Sequence, residues 1–518
     1  MTPTCCRDSV EEGRDPREEV AELDALLERL RLKRYALKRK INQLHSPIVR
    51  KLPPDVTSTI FEFCLQDFAD HPLFPYRDTE EDLSIPLSLG AICSYWRDIA
   101  WSSPRLWSSL VVRVTRKHDS DITTGIAQEW LARSGQLPLT IRIYSESYNT
   151  TFTELADIIN QYSTRWFKLD LYIPDRDYQR FQATDNHAPI LTSIQFYCSA
   201  HTVPKMKMNF QLTCPRLERA SFSSFFPMEG TNIQWDNLTH LTLHFISIID
   251  SFPILRKTSR LIFFKVSGFC PPYREQSIGA PVLTSLRSLQ LLISNIAADD
   301  FLQNLIAPHL EEFNLARYYI SSFEAITSFL RRSACSLRSF SLFFSTLPEV
   351  EYFEGLISLL QSMPSLNSLS LLSITNPDNT AVDYNPRNIL QLVAKVLSSQ
   401  STSLQQGFLP NLKILEYTGK LYLPPGNYDE LYSLPLADNA VHVPFRSLNL
   451  DIHPATRIPK SMISYLSSLV ERGITVNVLN NSKDILQSSI DYYRCTGRKY
   501  CRIRVRDHAM IQMKTSCL

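Results

Sequence analysis

The chain has 518 residues, 54 Lys and Arg against 52 Asp and Glu, and a formal charge of +2. Hydrophobic residues make up 44% and charged residues 20%, the proportions of an ordinary globular protein able to bury a large core. This balance argues against partners chosen by bulk charge, such as nucleic acid or anionic lipid. With 13 glycines and neither a GxGxxG nor a Walker-type run, the chain also has no phosphate-cradling loop.

The 11 cysteines are scattered, odd in number and never spaced as CxxC. Free thiols in a reducing compartment are the expectation, which places the protein in the cytoplasm, the nucleus or both. The first residues, MTPTCCRDSVEEGRD, lack the apolar core of a secretory signal, and no apolar run nears the ~18 residues of a membrane helix.

Taken in chain order, residues 1–17 are polar and predicted to be disordered. A coiled-coil-like helix is predicted over 18–46. Val20, Leu27, Arg34 and Ile41 fall seven apart, as do Leu23, Leu30, Leu37 and Leu44, which makes an a/d seam. Acids crowd its start and bases its end, as a helix dipole favours. Such a helix either folds back on its own domain or pairs with another copy.

Ser46-Pro47 ends that pattern, and residues 47–106 form the next segment. Pro53 and Pro54 suit a helix's first turn, and Asp55 suits its positive end. Val56, Ile60 and Phe63 make one apolar stripe there; Phe61, Cys64 and Leu65 make another. An acidic loop, Gln66 to Ile85, leads to a second apolar helical run from Pro86 to Ala100. About sixty residues cannot hide that much apolar area within themselves. The surplus face is therefore expected to dock another protein.

The order LPPD, IFEFCL, LGAICSYWRDIA and SSPRLWSSL resembles an F-box, most of all those of a large fungal set in which a short coiled coil precedes the box. Trp130 to Gly135 and Leu137-Pro138-Leu139 are similar to the same set. The resemblance implies docking on a Skp-type adaptor and, through it, on a cullin ubiquitin ligase. The contact positions it implies are Leu52, Pro53, Asp55, Ile60, Leu65, Leu89, Cys93 and Trp96.

From residue 107 to 480 one pattern recurs, with apolar residues at positions 0, +3 and +5. Copies start at Trp166, Leu191, Leu217, Leu238, Leu261, Leu286, Leu310, Leu337, Leu366, Leu412 and Phe445, with weaker ones at Trp107 and Pro138. This is the LxxLxL core of leucine-rich repeats, and helical patterns between copies, such as Phe323, Ile326, Phe329 and Leu330, complete a strand–helix unit. The fold class predicted is α/β: an N-terminal helix, a small helical F-box, then a leucine-rich-repeat-like solenoid on a curved parallel sheet. The spacing breaks over 373–411, where TNPDNTAVDYNPRN reads as a long loop, so an unbroken array is not assumed.

Position +4 is polar in all of the main copies: Asp170, Gln195, Ser221, Thr242, Lys265, Gln290, Asn314, Ser341, Ser370, Glu416 and Asn449. Alternation along a strand puts them on one face, expected to be wet and to bind a partner, with Tyr172, Tyr197 and Phe343 beside it. Residues 481–518 form a basic tail in which Arg502-Ile503-Arg504-Val505-Arg506 alternates like a protected edge strand.

No GxSxG elbow, HExxH helix or paired-carboxylate site occurs. His240 and His244 are four apart but sit in a strand pattern, where helical ligand geometry fails. No enzyme activity, catalytic residue, cofactor or metal is expected, nor a membrane or nucleic-acid partner. The expected function is a substrate-recognition subunit of a Skp–cullin–F-box ligase that holds a protein target on its repeats. The alternative is a non-catalytic repeat scaffold whose box-like helices are structural or bind another partner.

Overall fold

The structure is a computed structural model of the chain and describes residues 16–45, 51–65, 85–114, 120–145, 151–198, 211–223, 232–270, 281–292, 297–317, 323–344, 350–373, 408–419, 445–452, 458, 460–480 and 483–496. The expectations for residues 1–15, most of the acidic loop, the long loop after Ser373 and the Arg502–Arg506 strand lie outside these residues.

The first element is α1, Pro16–His45, a helix of 30 residues. Every residue from 17 to 41 is exposed, so the helix is not folded back over its own apolar seam. Two compact units divide the chain, one comprising residues 1–170 with 183–185, the other 171–182 with 186–518.

The first unit continues with three short helices, α2 (Pro54–Phe63), α3 (Ile85–Ile92) and α4 (Ser94–Trp101). Strand β1 (Ser109–Val114), helix α5 (Ser120–Arg133), strand β2 (Leu139–Ser145), helix α6 (Thr151–Asn160) and most of strand β3 (Trp166–Ile173) follow. The weak repeat copies join this array: β1 and β2 are parallel, with Leu110 beside Ile141 and Val112 beside Ile143, all buried.

In the second unit the strands are β4 (Ser193–Cys198), β5 (Gln211–Leu212), β6 (Arg219–Ser223), β7 (Asn232–Ile233), β8 (His240–Ser247), β9 (Phe263–Cys270), β10 (Ser288–Leu292) and β11 (Glu312–Arg317). Strands β12 (Ser339–Phe344), β13 (Ser368–Ser373), β14 (Ile414–Gly419), β15 (Ser447–Ile452), β16 (Thr475–Asn480) and β17 (Lys483–Asp484) complete them. Its helices are α7 (Ile248–Lys257), α8 (Ala297–Gln303), α9 (Glu324–Ser333), α10 (Val350–Gln361), α11 (Lys460–Glu471) and α12 (Leu486–Thr496). The chain is thus mixed α/β, and its main sheet is long, open and mostly parallel. Among the described residues the sheet has 15 strands, hydrogen-bonded in the order β1-β2-β3-β4-β6-β8-β9 and then onward in sequence to β17. The pair β5–β7 stands apart, and β16–β17 is antiparallel.

One device repeats from strand to strand. From the copy at Leu191 to the copy at Leu412, the carbonyl one residue past the repeat start accepts bonds from two successive N–H groups of the next repeat. Thr192 accepts from Glu218 and Arg219, Glu218 from Thr239 and His240, and Glu311 from Arg338 and Ser339. The series holds register, so each +3 and +5 side chain meets its counterpart: Leu289 with Phe313 and Phe313 with Phe340, Leu291 with Leu315 and Leu315 with Leu342. All six are buried. The helices cover this apolar face; α9 buries Ile326, Phe329 and Leu330 and ends at Ala334 in the left-handed region, φ 50°. Arg331 and Arg332 in its last turn complement the negative end of the helix.

Two points left open by the sequence are described by the strands. The spacing break after Ser373 does not interrupt the sheet, because β13 pairs directly with β14 (Leu369 with Leu415) and Asn367 O accepts from Lys413 and Ile414 like the other carbonyls of the series. The extra residues are inserted between strands without altering the register. The start of the predicted tail is ordered structure: β17 pairs with β16, and α12 follows, burying Ser489 and Leu486. Repeats of this kind depend on the interior pair. Replacing Leu315 by Ala is expected to lower unfolding stability by about 2–5 kcal/mol, while Gln290→Ala on the opposite face stays within ~0.5, measured by denaturant titration.

Candidate partner-binding surfaces

In the first unit the box-like segment is held by its aromatic side chains. Pro53 sets the entry to α2, with its carbonyl accepting from Thr57, which is buried with Phe61 on the inner side. The Phe61 ring packs on Trp96, centroids 4.8 Å apart and tilted 55°. Tyr95 OH donates to Leu52 O at 3.5 Å, Ser58 and Ser103 share a 2.7 Å bond, and Arg105 pairs with Glu62 at 3.0 Å. Cys93 caps α4, its sulfur accepting from Trp96 N.

A tryptophan stack follows. Trp107 meets Trp101 and Trp130 edge-on at 5.2 and 4.8 Å, and its indole N–H donates to Ala100 O at 2.7 Å. The Arg133 guanidinium lies over Trp101 and Trp107. Gly90 of α3 faces this stack. A Cβ there would lie 2.1 Å from Trp101, so only glycine admits the approach.

With Phe61 and Thr57 turned inward, the other stripe of α2 faces outward. Val56, Ile60 and Phe63 are exposed, the last to 86%, and Leu87 and Ile92 are exposed on α3. Among the residues implied as adaptor contacts, Pro53, Asp55 and Ile60 are exposed, and Leu52, Leu65, Cys93 and Trp96 half-buried. Leu89 is buried inside the helical segment, and Leu87 and Ile92 are the outward apolar residues of its helix. Each residue along a helix turns the side chain by about 100°, so apolar neighbours in so short a run do not reveal which of them faces out.

On the strand face the +4 row is half-buried or exposed at Gln195, Thr242, Lys265, Gln290, Asn314, Ser341, Ser370, Glu416 and Asn449, as alternation requires. At its C-terminal end Asn449 donates to Glu416 at 3.2 Å and accepts from Asn477 at 2.8 Å. Asp170 departs from the row. It is 3% exposed and pairs with buried Arg142 at 2.9 Å, so it is a structural ion pair and not part of a wet surface. Burial raises the Asp170 pKa, outweighing the nearby Arg142 charge. Ser221, also buried, shares a 2.8 Å bond with Tyr197.

Position +6 lies on the same face two residues on, and the repeat pattern in the sequence does not single it out. Leu292, Ala316, Phe343 and Leu372 stand in direct register across β10–β13, each half-buried. An apolar strip therefore runs beside the uncharged Gln290, Asn314, Ser341 and Ser370. Only strand register reveals it, since the four residues are separated by 24 to 29 positions in the chain. Toward the N-terminal side the same row carries His244, bonded to Tyr197 at 2.9 Å and to Ser267. Burial first, and then the Lys265 charge, push its pKa down to about 4. Among the described residues no group of three His, Cys, Asp or Glu could hold a metal, and no helix is long and apolar enough to cross a membrane. Cys64, Cys93, Cys214 and Cys335 are free thiols; burial pushes Cys214 up to about 11, which makes it unreactive.

No protein-family model matches the chain, and no curated protein matches it.

Removing one member of the buried pair isolates the other. Asp170→Ala is expected to cost about 3–5 kcal/mol in a denaturant titration, whereas Arg142→Met with Asp170→Leu costs far less, because no charge is left buried. Unlike an unperturbed surface histidine, His244 makes stability depend on pH. Its folded pKa lies below the unfolded value of 6.5, so its contribution is present above pH 6.5 and is lost as pH falls toward 4. His244→Gln is expected to flatten the decline in stability across that window.

Proposed function

We propose that this chain is a non-catalytic substrate-recognition subunit of a Skp–cullin–F-box ubiquitin ligase. The observation that carries the reading is the outward stripe of Val56, Ile60 and Phe63 beside Leu87 and Ile92. It sits on the segment whose LPPD, CSYWRDIA and SSPRLW motifs resemble an F-box, on helices too short to hide it. Apolar side chains of this size are left uncovered where another protein covers them. On this reading the stripe inserts into the Skp adaptor, with Pro53 and Asp55 at its edge. Leu52 and Trp96 stiffen the segment from behind.

The strand repeats then act as a leucine-rich-repeat-like recognition surface. The strip Leu292, Ala316, Phe343 and Leu372, with Gln290, Asn314, Ser341 and Ser370 beside it, offers apolar contact and neutral hydrogen-bonding groups without a net field. Aromatic and aliphatic anchors in a polar surround are what dominate binding energy at protein interfaces. The ligase chemistry is done by other subunits, and this one contributes proximity.

The test is binding of the full chain to purified Skp adaptor by calorimetry. Ile60→Lys with Phe63→Lys changes only outward side chains, so the melting profile is expected to stay unchanged while affinity falls by roughly a hundredfold or more. Undiminished binding by the folded double variant, or no binding by the wild-type chain, would remove the assignment.

A further inference from the structure

Helix α1 leaves its apolar seam open. Val20, Leu23, Leu27, Leu30, Leu37 and Ile41 are each 52% to 57% exposed. A helix of 30 residues whose seam runs for nearly four heptads is long enough for a stable two-stranded coil. The charges flanking the seam choose the occupant and its direction.

Residues 16–30 carry Glu18, Glu19, Glu22, Asp24 and Glu28 against Arg17 and Arg29, while residues 31–45 carry only bases, Arg31 to Lys40. In a parallel pair the g and following e positions meet. That would set Glu19 against Asp24 and Lys33 against Lys38, two repulsions on each side, and would place Arg34 opposite Arg34 inside the seam. In an antiparallel pair one register faces every a position with a d position. Val20 meets Leu44, Leu23 meets Ile41, Leu27 meets Leu37, and Arg34 meets Leu30 of the second copy. The acidic half of each helix then lies along the basic half of the other, with Asp24 against Lys38 twice along one flank. The remaining like-charged contacts, Arg31 and Lys33 each with its own copy, fall at the centre, where Glu28 already pairs with Arg31 at 3.6 Å. The Arg34 stem can lie along Leu30 with its guanidinium in water.

We infer that the chain forms a homodimer through an antiparallel coiled coil of α1. The inference is independent of the ligase reading, since it uses no residue of the box-like segment. An antiparallel pair also sends the two chains' following segments to opposite ends of the coil, about 45 Å apart for helices of this length.

Sedimentation equilibrium of the full chain tests it. The wild type is expected to be dimeric at micromolar concentration, and Leu27→Asp with Leu30→Asp to be monomeric with the thermal melt of the remainder unchanged. Direction is read from charge. Asp24→Lys alone, or Lys38→Asp alone, turns two attractions into repulsions and is expected to weaken the dimer about tenfold; both together restore it. In a parallel dimer each single change would instead tighten association, because the introduced lysine would meet Glu19 and the introduced aspartate would meet Lys33. Tightening by either single variant, a dimer that survives the double leucine replacement, or a wild type that stays monomeric at about 100 μM overturns the inference.

Discussion

The second unit rests on one shared hydrogen bond. A carbonyl just past each repeat start accepts two N–H groups from the next, and this recurs from Thr192 to Lys413. The bond is made by backbone, so the side chains around it are free to vary, and the repeats are degenerate for that reason. It also fixes register with no tolerance. A slip of one residue would turn Leu315 or Leu342 to the opposite face and put Asn314 or Ser341 into the core. A cost of that size at every strand is what lets imperfect copies add up to a single sheet, and why the long insertion after Ser373 leaves β13 and β14 aligned.

Register has a second consequence on the opposite face. Once core residues are aligned, the residues between them are aligned too, whatever they are. A row of polar side chains at +4 and a strip of apolar ones at +6 are therefore continuous surfaces built from residues far apart in the chain. The polar row was legible in the sequence because it sits inside the repeat that defines it. Of the strip of Leu292, Ala316, Phe343 and Leu372 only Phe343 was, because position +6 is polar or aromatic in other copies, such as Ser267, Tyr197 and His244. Asp170 shows the limit from the other side. It obeys the alternation in sequence, yet Arg142, one strand away, draws it into a buried pair. Pairing between strands cannot be read from either strand alone.

The helical segment was legible to a different degree. Its two apolar stripes on α2 follow from spacing, but which one is inward depends on what stands opposite. Trp96 decides it by meeting Phe61, and Gly90 decides the position of α3 by admitting Trp101. These are contacts between side chains distant in sequence, and the same distance hid the inward turn of Leu89. The exposed seam of α1, by contrast, is a purely local pattern, and its heptads stand in the sequence as they stand in the helix.

The two uncovered apolar surfaces of the first unit differ in what would satisfy them. The seam of α1 is self-complementary. Its acidic and basic halves answer each other only when a second identical helix runs the opposite way, so its own sequence specifies the occupant. The stripe of α2 and α3 has no such symmetry. It has five apolar side chains, with Asp55 exposed beside them, and nothing opposite in charge or pattern within the same helices. Under the proposed function, this stripe is the one that a different protein covers. The tryptophan stack that pins α4 to Trp107 and Trp130 keeps the remaining side chains from turning inward to hide it. Rigidity behind an apolar stripe removes the alternative of collapse, so the proposed adaptor contact would be made by a surface already in its bound form.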